Sequence, residues 1–146
     1  MYLTHRTSVR VRYAETDQMG IVYHSNYFIW FEVGRVEFLR NAGIAYKTLE
    51  QEGLAVAVVD ATCRYRRPAL YDDDLIIETG IESFSSRKLT FTYKVLREDT
   101  LLAEGQTIHV FVDRNGRSTD ARNYPIWNKL ESLLKDTETV DSSSLK

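Results

Sequence analysis

Residues 25–40 read SNYFIWFEVGRVEFLR, a run that carries more of the fold than any other part of the chain. Ser25 and Asn26 are residue types that favour the N-terminal cap of a helix, and Asn41 and Gly43 provide its stop. Apolar side chains occupy most faces of the predicted helix, and its charged residues do not collect into one polar stripe. A helix that is apolar nearly all round is buried, so the rest of the chain must enclose it.

The segments around this helix alternate apolar and polar residues, as β-strands do. The predicted elements are a strand at 8–13, a short helical turn at 46–52, strands at 54–66, 75–82, 89–95 and 101–112, a possible bulge at Gly105, and a last helix opened by Pro125. Strands joined in sequence by short turns indicate an antiparallel sheet in an α+β fold. The simplest way to bury the long helix is to wrap that sheet around it.

Length and composition fit one globular domain, predicted to span residues 1–135 of the 146. Residues 136–146 contain few apolar side chains and are predicted to be a disordered tail. The 19 Lys and Arg against 21 Asp and Glu give no charge excess for nucleic acid. The apolar run 54–59 is too short for a transmembrane segment, and the start of the chain lacks the apolar region of a signal peptide. These features predict a cytoplasmic protein.

The single cysteine, Cys63, excludes an intramolecular disulfide framework and a multi-cysteine zinc site. It is interpreted as a small buried hydrophobic residue, because no base stands beside it in the sequence. His5, His24 and His109 are widely separated and lack the spacing of a metal site. The sequence therefore predicts no bound metal.

The segment YAETDQMGIVYHSNY, residues 13–27, brings an acid, a glycine and a histidine close to the start of the long helix. A helix N-terminus presents unpaired N–H groups that can stabilise an oxyanion, and a carboxylate beside it can act as a general base or a nucleophile. Asp17 is also a common residue type in a turn or cap, and a histidine near a helix start is often only hydrogen-bonded. The residues alone leave both readings open.

The stretch RYAETDQMGIVYHSNYFIWFEVGRVEFLRNAGI, residues 12–44, resembles the signature region of the 4-hydroxybenzoyl-CoA thioesterase family of hotdog-fold proteins. Its histidine at position 24 makes it most similar to the thioesterases encoded with the bacterial Tol-Pal cluster. The similarity continues through VVDATCRYRRPALYDDDLIIE and ESFSSRKLTFTYKV and covers about residues 5–130. It implies a hotdog fold, in which an antiparallel sheet of about five strands wraps a long central helix.

The resemblance implies that Asp17 is the catalytic acid, which activates water or attacks the thioester carbonyl itself. The backbone N–H of His24 would polarise that carbonyl, and the His24 imidazole would orient water or protonate the leaving thiolate. Gly20 would supply a backbone conformation that other residues resist. The remaining predicted substrate-binding residues are Tyr23, Tyr27 and Val59.

Coenzyme A carries phosphates, and the resemblance assigns its nucleotide end to the turn before the third long strand. The predicted contacts there are Ser85, Ser86, Arg87 and Lys88, although an ordinary solvated turn would have the same composition. Arg64 and Arg66 lie on one face of their strand. They can bind phosphate or pair with the acidic run 72–74.

Three functions remain as alternatives on the sequence. The first is an acyl-CoA thioesterase that acts as a homodimer, with its sites between two subunits, or as a homotetramer. The second is a related hotdog acyl-thioester dehydratase. The third is a protein that binds acyl-CoA or acyl carrier protein without catalysis. In the first reading coenzyme A is part of the substrate, and no separate cofactor is expected.

Overall fold

The computed structural model describes the backbone of residues 4–144 and the side chains of residues 4–135. Its strands are β1 (Thr4–Arg10), β2 (Ala55–Tyr65), β3 (Asp74–Phe84), β4 (Lys88–Arg97) and β5 (Thr100–Val112), and its helices are α1 (Asn26–Asn41), α2 (Tyr46–Glu52) and α3 (Trp127–Ser144). Single 3-10 turns lie at Tyr13–Glu15 and Ala121–Asn123. None of the helices in the described part is long and apolar enough to cross a membrane.

The five strands form one antiparallel sheet in the order β1-β3-β4-β5-β2. One face of this sheet packs against α1, which contacts β1 and β3 most extensively. The core between them is built from alternate residues of β3 and β4, including Leu75, Ile77, Phe91 and Val95, all of which are buried. The predicted α+β hotdog arrangement is confirmed.

Close approach between α1 and the sheet depends on a glycine of β5. The Phe31 ring of α1 stacks on Tyr93 of β4 at 4.3 Å between centroids. A Cβ at Gly105 would meet the Phe31 ring at 2.8 Å and would overlap the Thr62 carbonyl. The predicted bulge at Gly105 is wrong: this glycine pairs regularly with Cys63 and Tyr93, and its lack of a side chain makes room for the helix.

The helix is not buried on every side, contrary to the sequence prediction. Ile29 is 50% exposed and Val33 is 36% exposed. They form an apolar stripe, one helical turn apart, on the side that faces away from the sheet. Val58 and Val59 of the edge strand β2 are also exposed. One chain therefore leaves apolar surface on both its central helix and its sheet edge.

The first strand begins and ends earlier than predicted. It spans Thr4–Arg10 rather than 8–13, because the chain leaves the ladder after Arg10 and turns at Tyr13–Glu15. At the other end of the chain, the backbone of α3 continues to Ser144. The side chains of residues 136–146 lie outside the described part, and the disorder of that tail stays a prediction.

A buried chain of polar groups lies between α1 and the sheet. The Tyr93 hydroxyl and Thr107 Oγ1 are 2.5 Å apart, and His109 Nε2 is 2.7 Å from the same Thr107 oxygen. Burial, reinforced by the positive charge of Arg35, lowers the pKa of His109 to about 4. His109 is therefore neutral at pH 7.

Candidate active site

A tight turn presents Asp17 at the surface. Thr16 and Val22 form an isolated antiparallel bridge, and between them the Asp17 N–H donates to the Ile21 carbonyl at 2.8 Å. The turn closes at Gly20, whose φ of +80° is one that glycine adopts without steric cost. Asp17 Oδ1 accepts the Met19 N–H at 2.8 Å. Its Oδ2 accepts no hydrogen bond from the described residues, so one carboxylate oxygen is available for chemistry.

The start of α1 lies directly after this turn. Ser25 occupies the N-cap position but makes no hydrogen bond with its side chain, contrary to what its residue type suggests. The His24 carbonyl accepts the Tyr27 N–H at 3.3 Å. The backbone N–H groups of His24 and Ser25 find no acceptor among the side chains and backbone that the structure describes. Free donors at a helix start are suited to hold an anionic oxygen.

The predicted aromatic residues occupy two different environments. Tyr23 is 48% exposed, and its ring lies 4.3 Å from the His24 imidazole. Tyr27 is buried and packs edge-on against Trp30 and Tyr65, and burial raises the pKa of its hydroxyl. Tyr27 thus anchors the first turn of the helix, whereas Tyr23 is accessible beside the histidine.

Tyr65, at the end of β2, is a site residue that sequence reasoning missed. Its hydroxyl donates to the His24 carbonyl at 2.9 Å, and burial is the main cause that raises its pKa to about 12. Tyr65 therefore acts here as a hydrogen-bond donor. The only signal in the sequence is an aromatic residue between two arginines, which does not reveal a contact across 41 residues.

Val59, predicted to line the substrate pocket, lies on the exposed edge strand. The pairing of β2 with β5 shifts by one residue between Val58 and Asp60, which leaves Val59 outside the ladder. Its side chain is 58% exposed. Within one chain Val59 faces solvent.

The turn predicted to bind the nucleotide is closed by its own serine. Ser85 Oγ accepts the N–H groups of Arg87 and Lys88 at 3.2 and 3.1 Å. Arg87 Nε lies 3.9 Å from Asp120. The Asp120 carboxylate is held mainly by Arg122, which lowers its pKa well below the usual range. The Lys88 side chain is exposed and has no described partner, so the turn carries positive charge that is only partly compensated.

Ser86, also predicted at this turn, contributes through its backbone. Its carbonyl accepts the Ala121 N–H at 2.8 Å, and its hydroxyl interacts with Asp120. Ser86 thus ties the β3–β4 turn to the 3-10 turn at Ala121–Asn123. Arg122 on that turn is a further basic residue at this place that the sequence pattern did not single out.

The nucleotide turn and the Asp17 turn lie at opposite ends of the sheet. Lys88 pairs with Val110, and Tyr65, which contacts His24, pairs with Ala103. Those two positions on β5 are seven residues apart, which corresponds to about 23 Å along the strand. A single chain therefore does not bring the two predicted halves of the site together.

The sequence suggested that Arg64 and Arg66 could pair with the acidic run 72–74, and this pairing is wrong. Arg66 forms its ion pair with Glu104 at 3.3 Å, on the strand next to it. Asp73 pairs instead with Arg97 at 2.8 Å, and Asp72 and Asp74 lie near Arg10.

Comparisons with known proteins agree with this architecture. Residues 11–137 match the family described as the thioesterase-like superfamily. The putative acyl-CoA thioesterase YneP of Bacillus subtilis is 36% identical over 110 residues, 75% of this chain and 80% of that protein. The acyl-CoA thioester hydrolase YbgC of Escherichia coli O157:H7 is 39% identical over 109 residues, 74% of this chain and 81% of that protein.

The fold is likewise that of a solved thioesterase. The crystal structure of the DHNA-CoA thioesterase from Staphylococcus aureus superposes with a TM-score of 0.91 at 24% identity, covering 97% of this chain and 95% of that one. With its helix wrapped by an antiparallel sheet and a family match over most of its length, the chain belongs to the thioesterase-like superfamily.

Proposed function

We propose that this thioesterase hydrolyses acyl-CoA to a free acid and coenzyme A, with Asp17 as its catalytic carboxylate. One observation carries the assignment. Asp17, a carboxylate with one free oxygen, is followed after a short turn by the start of α1, where the N–H groups of His24 and Ser25 are free. The two relatives named as acyl-CoA thioesterases support the substrate class.

The proposed reaction needs only these groups. The His24 N–H binds the thioester oxygen and stabilises the negative charge that develops there. Asp17 Oδ2 removes a proton from water as it attacks the carbonyl carbon, or attacks that carbon itself and is released by water. When water attacks, the carbon–sulfur bond breaks and the leaving thiolate takes the proton that Asp17 holds, which regenerates the carboxylate. When Asp17 attacks, the carbon–sulfur bond breaks to give a mixed anhydride, water cleaves that anhydride, and the proton that water loses goes to the thiolate. In this proposal the exposed His24 imidazole relays the proton to the thiolate, and the scheme requires no metal or separate cofactor.

The proposal includes a homodimer that completes the site. β2 has a neighbour on one side only, and an unpaired edge with exposed valines favours pairing with another strand. A two-fold axis normal to the sheet would pair two β2 edges antiparallel. That pairing places the basic turn at Arg87 and Lys88 of one copy at the same end as Asp17 of the other.

The proposal has three further parts. Assembly of dimers into a homotetramer follows from the family resemblance. Acyl carrier protein is the alternative carrier, because its thioester has the same reacting end as that of acyl-CoA. A cytoplasmic location agrees with Cys63, which is unpaired.

Release of free thiol from a panel of acyl-CoA substrates tests the activity. The panel holds short, medium and long aliphatic chains and aromatic acyl groups. Thiol release that saturates with at least one substrate is the expected result. Acyl-CoA binding without thiol release would overturn hydrolysis in favour of a binding protein.

Subunit complementation tests the composite site. Asp17→Asn removes the acid, and the double variant Arg87→Ala/Lys88→Ala removes the basic turn. If each site takes Asp17 from one copy and the turn from the other, a mixed dimer of these two variants contains one intact site. Co-expression should then restore activity well above the average of the parents. Activity equal to that average would contradict a site shared between subunits.

A further inference from the structure

A buried carboxylate links the Asp17 turn to the central helix. Glu15 is 4% exposed. Its Oε1 accepts the Arg12 backbone N–H at 2.7 Å, and its Oε2 accepts the indole N–H of Trp30 at 3.1 Å. The Arg12 guanidinium lies 3.5 Å from Oε2. All of these groups are donors, as a carboxylate requires.

The backbone of Glu15 joins the same two elements. Its carbonyl accepts the Tyr23 N–H at 2.8 Å and the Asn26 side-chain amide at 2.9 Å. The residue two before Asp17 is therefore bonded to the residue before His24 and to the first residue of α1. None of these bonds involves a group that the proposed reaction uses.

We propose that Glu15 is a positioning residue: its carboxylate ties the Asp17 turn to Trp30 on α1 and so sets the distance between the Asp17 carboxylate and the free N–H of His24. The inference rests on the proposed function and adds a residue to it. Reaction rates depend steeply on such distances, because a misplacement of about 1 Å can cost on the order of a hundredfold.

The geometry explains why a carboxylate is needed. The two oxygens of Glu15 receive one N–H each, from Arg12 and from Trp30. A glutamine has the same shape but only one acceptor oxygen, and its NH₂ would face the second N–H donor. One of the two tethers is therefore lost in Glu15→Gln, and the turn can shift relative to the helix.

The test combines Glu15→Gln with Trp30→Phe, which keeps an aromatic ring and removes the indole N–H. Thiol release and thermal unfolding are measured for both variants and for the double variant. The control is Glu78→Gln, the same chemical change in a partly buried carboxylate that pairs with Arg6 on the other face of the sheet. It should leave kcat unchanged.

We expect each single variant to lower kcat by about tenfold or more with KM within about twofold. The double variant should lose less than the product of the two single effects, because both break one link. Folded variants with a lower melting temperature but wild-type kcat would overturn the inference and leave Glu15 a structural residue. If Glu15→Gln does not fold, Trp30→Phe alone is the test: a lower kcat supports the positioning role, and a wild-type kcat overturns it.

The variant Asp17→Asn separates this inference from the proposed function. Wild-type activity in Asp17→Asn would remove Asp17 from the mechanism and the positioning role with it. An inactive Asp17→Asn together with wild-type kcat in Glu15→Gln and Trp30→Phe would overturn the positioning role alone.

Discussion

The contact between Gly34 of α1 and Thr79 of β3 sets how closely the helix packs on the sheet. A Cβ at Gly34 would overlap the Thr79 hydroxyl and would lie 2.9 Å from a methyl of Ile77. Thr79 is fully buried, and its hydroxyl has no hydrogen-bond partner within the described residues.

The expected effect of Gly34→Ala follows from two opposing contributions. Overpacking of a filled core costs up to about 3 kcal/mol, and alanine is favoured over glycine in a helix by about 1 kcal/mol. The net loss in the free energy of unfolding is about 2 kcal/mol. For a chain of this length that corresponds to a melting temperature lower by about 4–8 °C.

Thr79→Ala should remove most of this penalty. Alone it is expected to be nearly neutral, because the burial lost with its methyl, about 0.8 kcal/mol, is offset by removing an unpaired buried hydroxyl. In that background Gly34→Ala loses the overlap with the hydroxyl and keeps its gain in helix propensity. The two substitutions should therefore couple by about 2 kcal/mol.

Urea unfolding of the four proteins, at one fixed protein concentration because a dimer's stability depends on it, measures this coupling. Additive effects, or a Gly34→Ala protein as stable as the wild type, would show that the helix does not lie as close to β3 as the structure has it.

Three further predictions concern single residues. Tyr65→Phe removes the hydrogen bond to the His24 carbonyl, and we expect kcat to fall about fivefold, equivalent to about 1 kcal/mol; thiol release at wild-type rate would contradict this. The pKa of His109 is about 4 in the folded state, whereas the ordinary value for a histidine is 6.5. Below pH 6.5 the unfolded state therefore binds a proton that the folded state excludes. The contribution of His109 to the free energy of unfolding is therefore constant above pH 6.5 and falls by roughly 3 kcal/mol as the pH drops toward 4. In His109→Gln the free energy of unfolding should depend less on pH in that range. An equally steep dependence would refute the lowered pKa. Val59→Asp puts charge on the exposed β2 edge and should shift the protein to monomers in light scattering; a stable dimer would place the interface elsewhere.

Local patterns in the sequence were sufficient for most elements. The short helix at Tyr46–Glu52 has the predicted bounds, because Gly53 ends it in the left-handed region at φ +85°. The β4 strand follows strict alternation and was recognised, although it spans Lys88–Arg97 rather than the predicted 89–95. In the site, the turn at Asp17 was recognisable because Gly20 and the following helix start are close in the chain.

Features that depend on distant parts of the chain were not predictable in the same way. The need for Gly105 arises from Phe31, 74 residues earlier, so a local pattern suggested a bulge instead. The exposure of Ile29 and Val33 depends on which side of α1 the sheet covers, and residue type alone does not encode that. The hydrogen bond from Tyr65 to His24 likewise forms only when β2 returns to the helix start.

The role of the Asp17 carboxylate is tested most directly by the rate of thiol release from acyl-CoA by Asp17→Asn, compared with the wild type. Asparagine keeps the side-chain oxygen that accepts the Met19 N–H, so the turn should persist and the melting temperature should stay near that of the wild type. Loss of a general base or nucleophile predicts a kcat lower by about a hundredfold or more. A folded Asp17→Asn protein that releases thiol at the wild-type rate would contradict the mechanism.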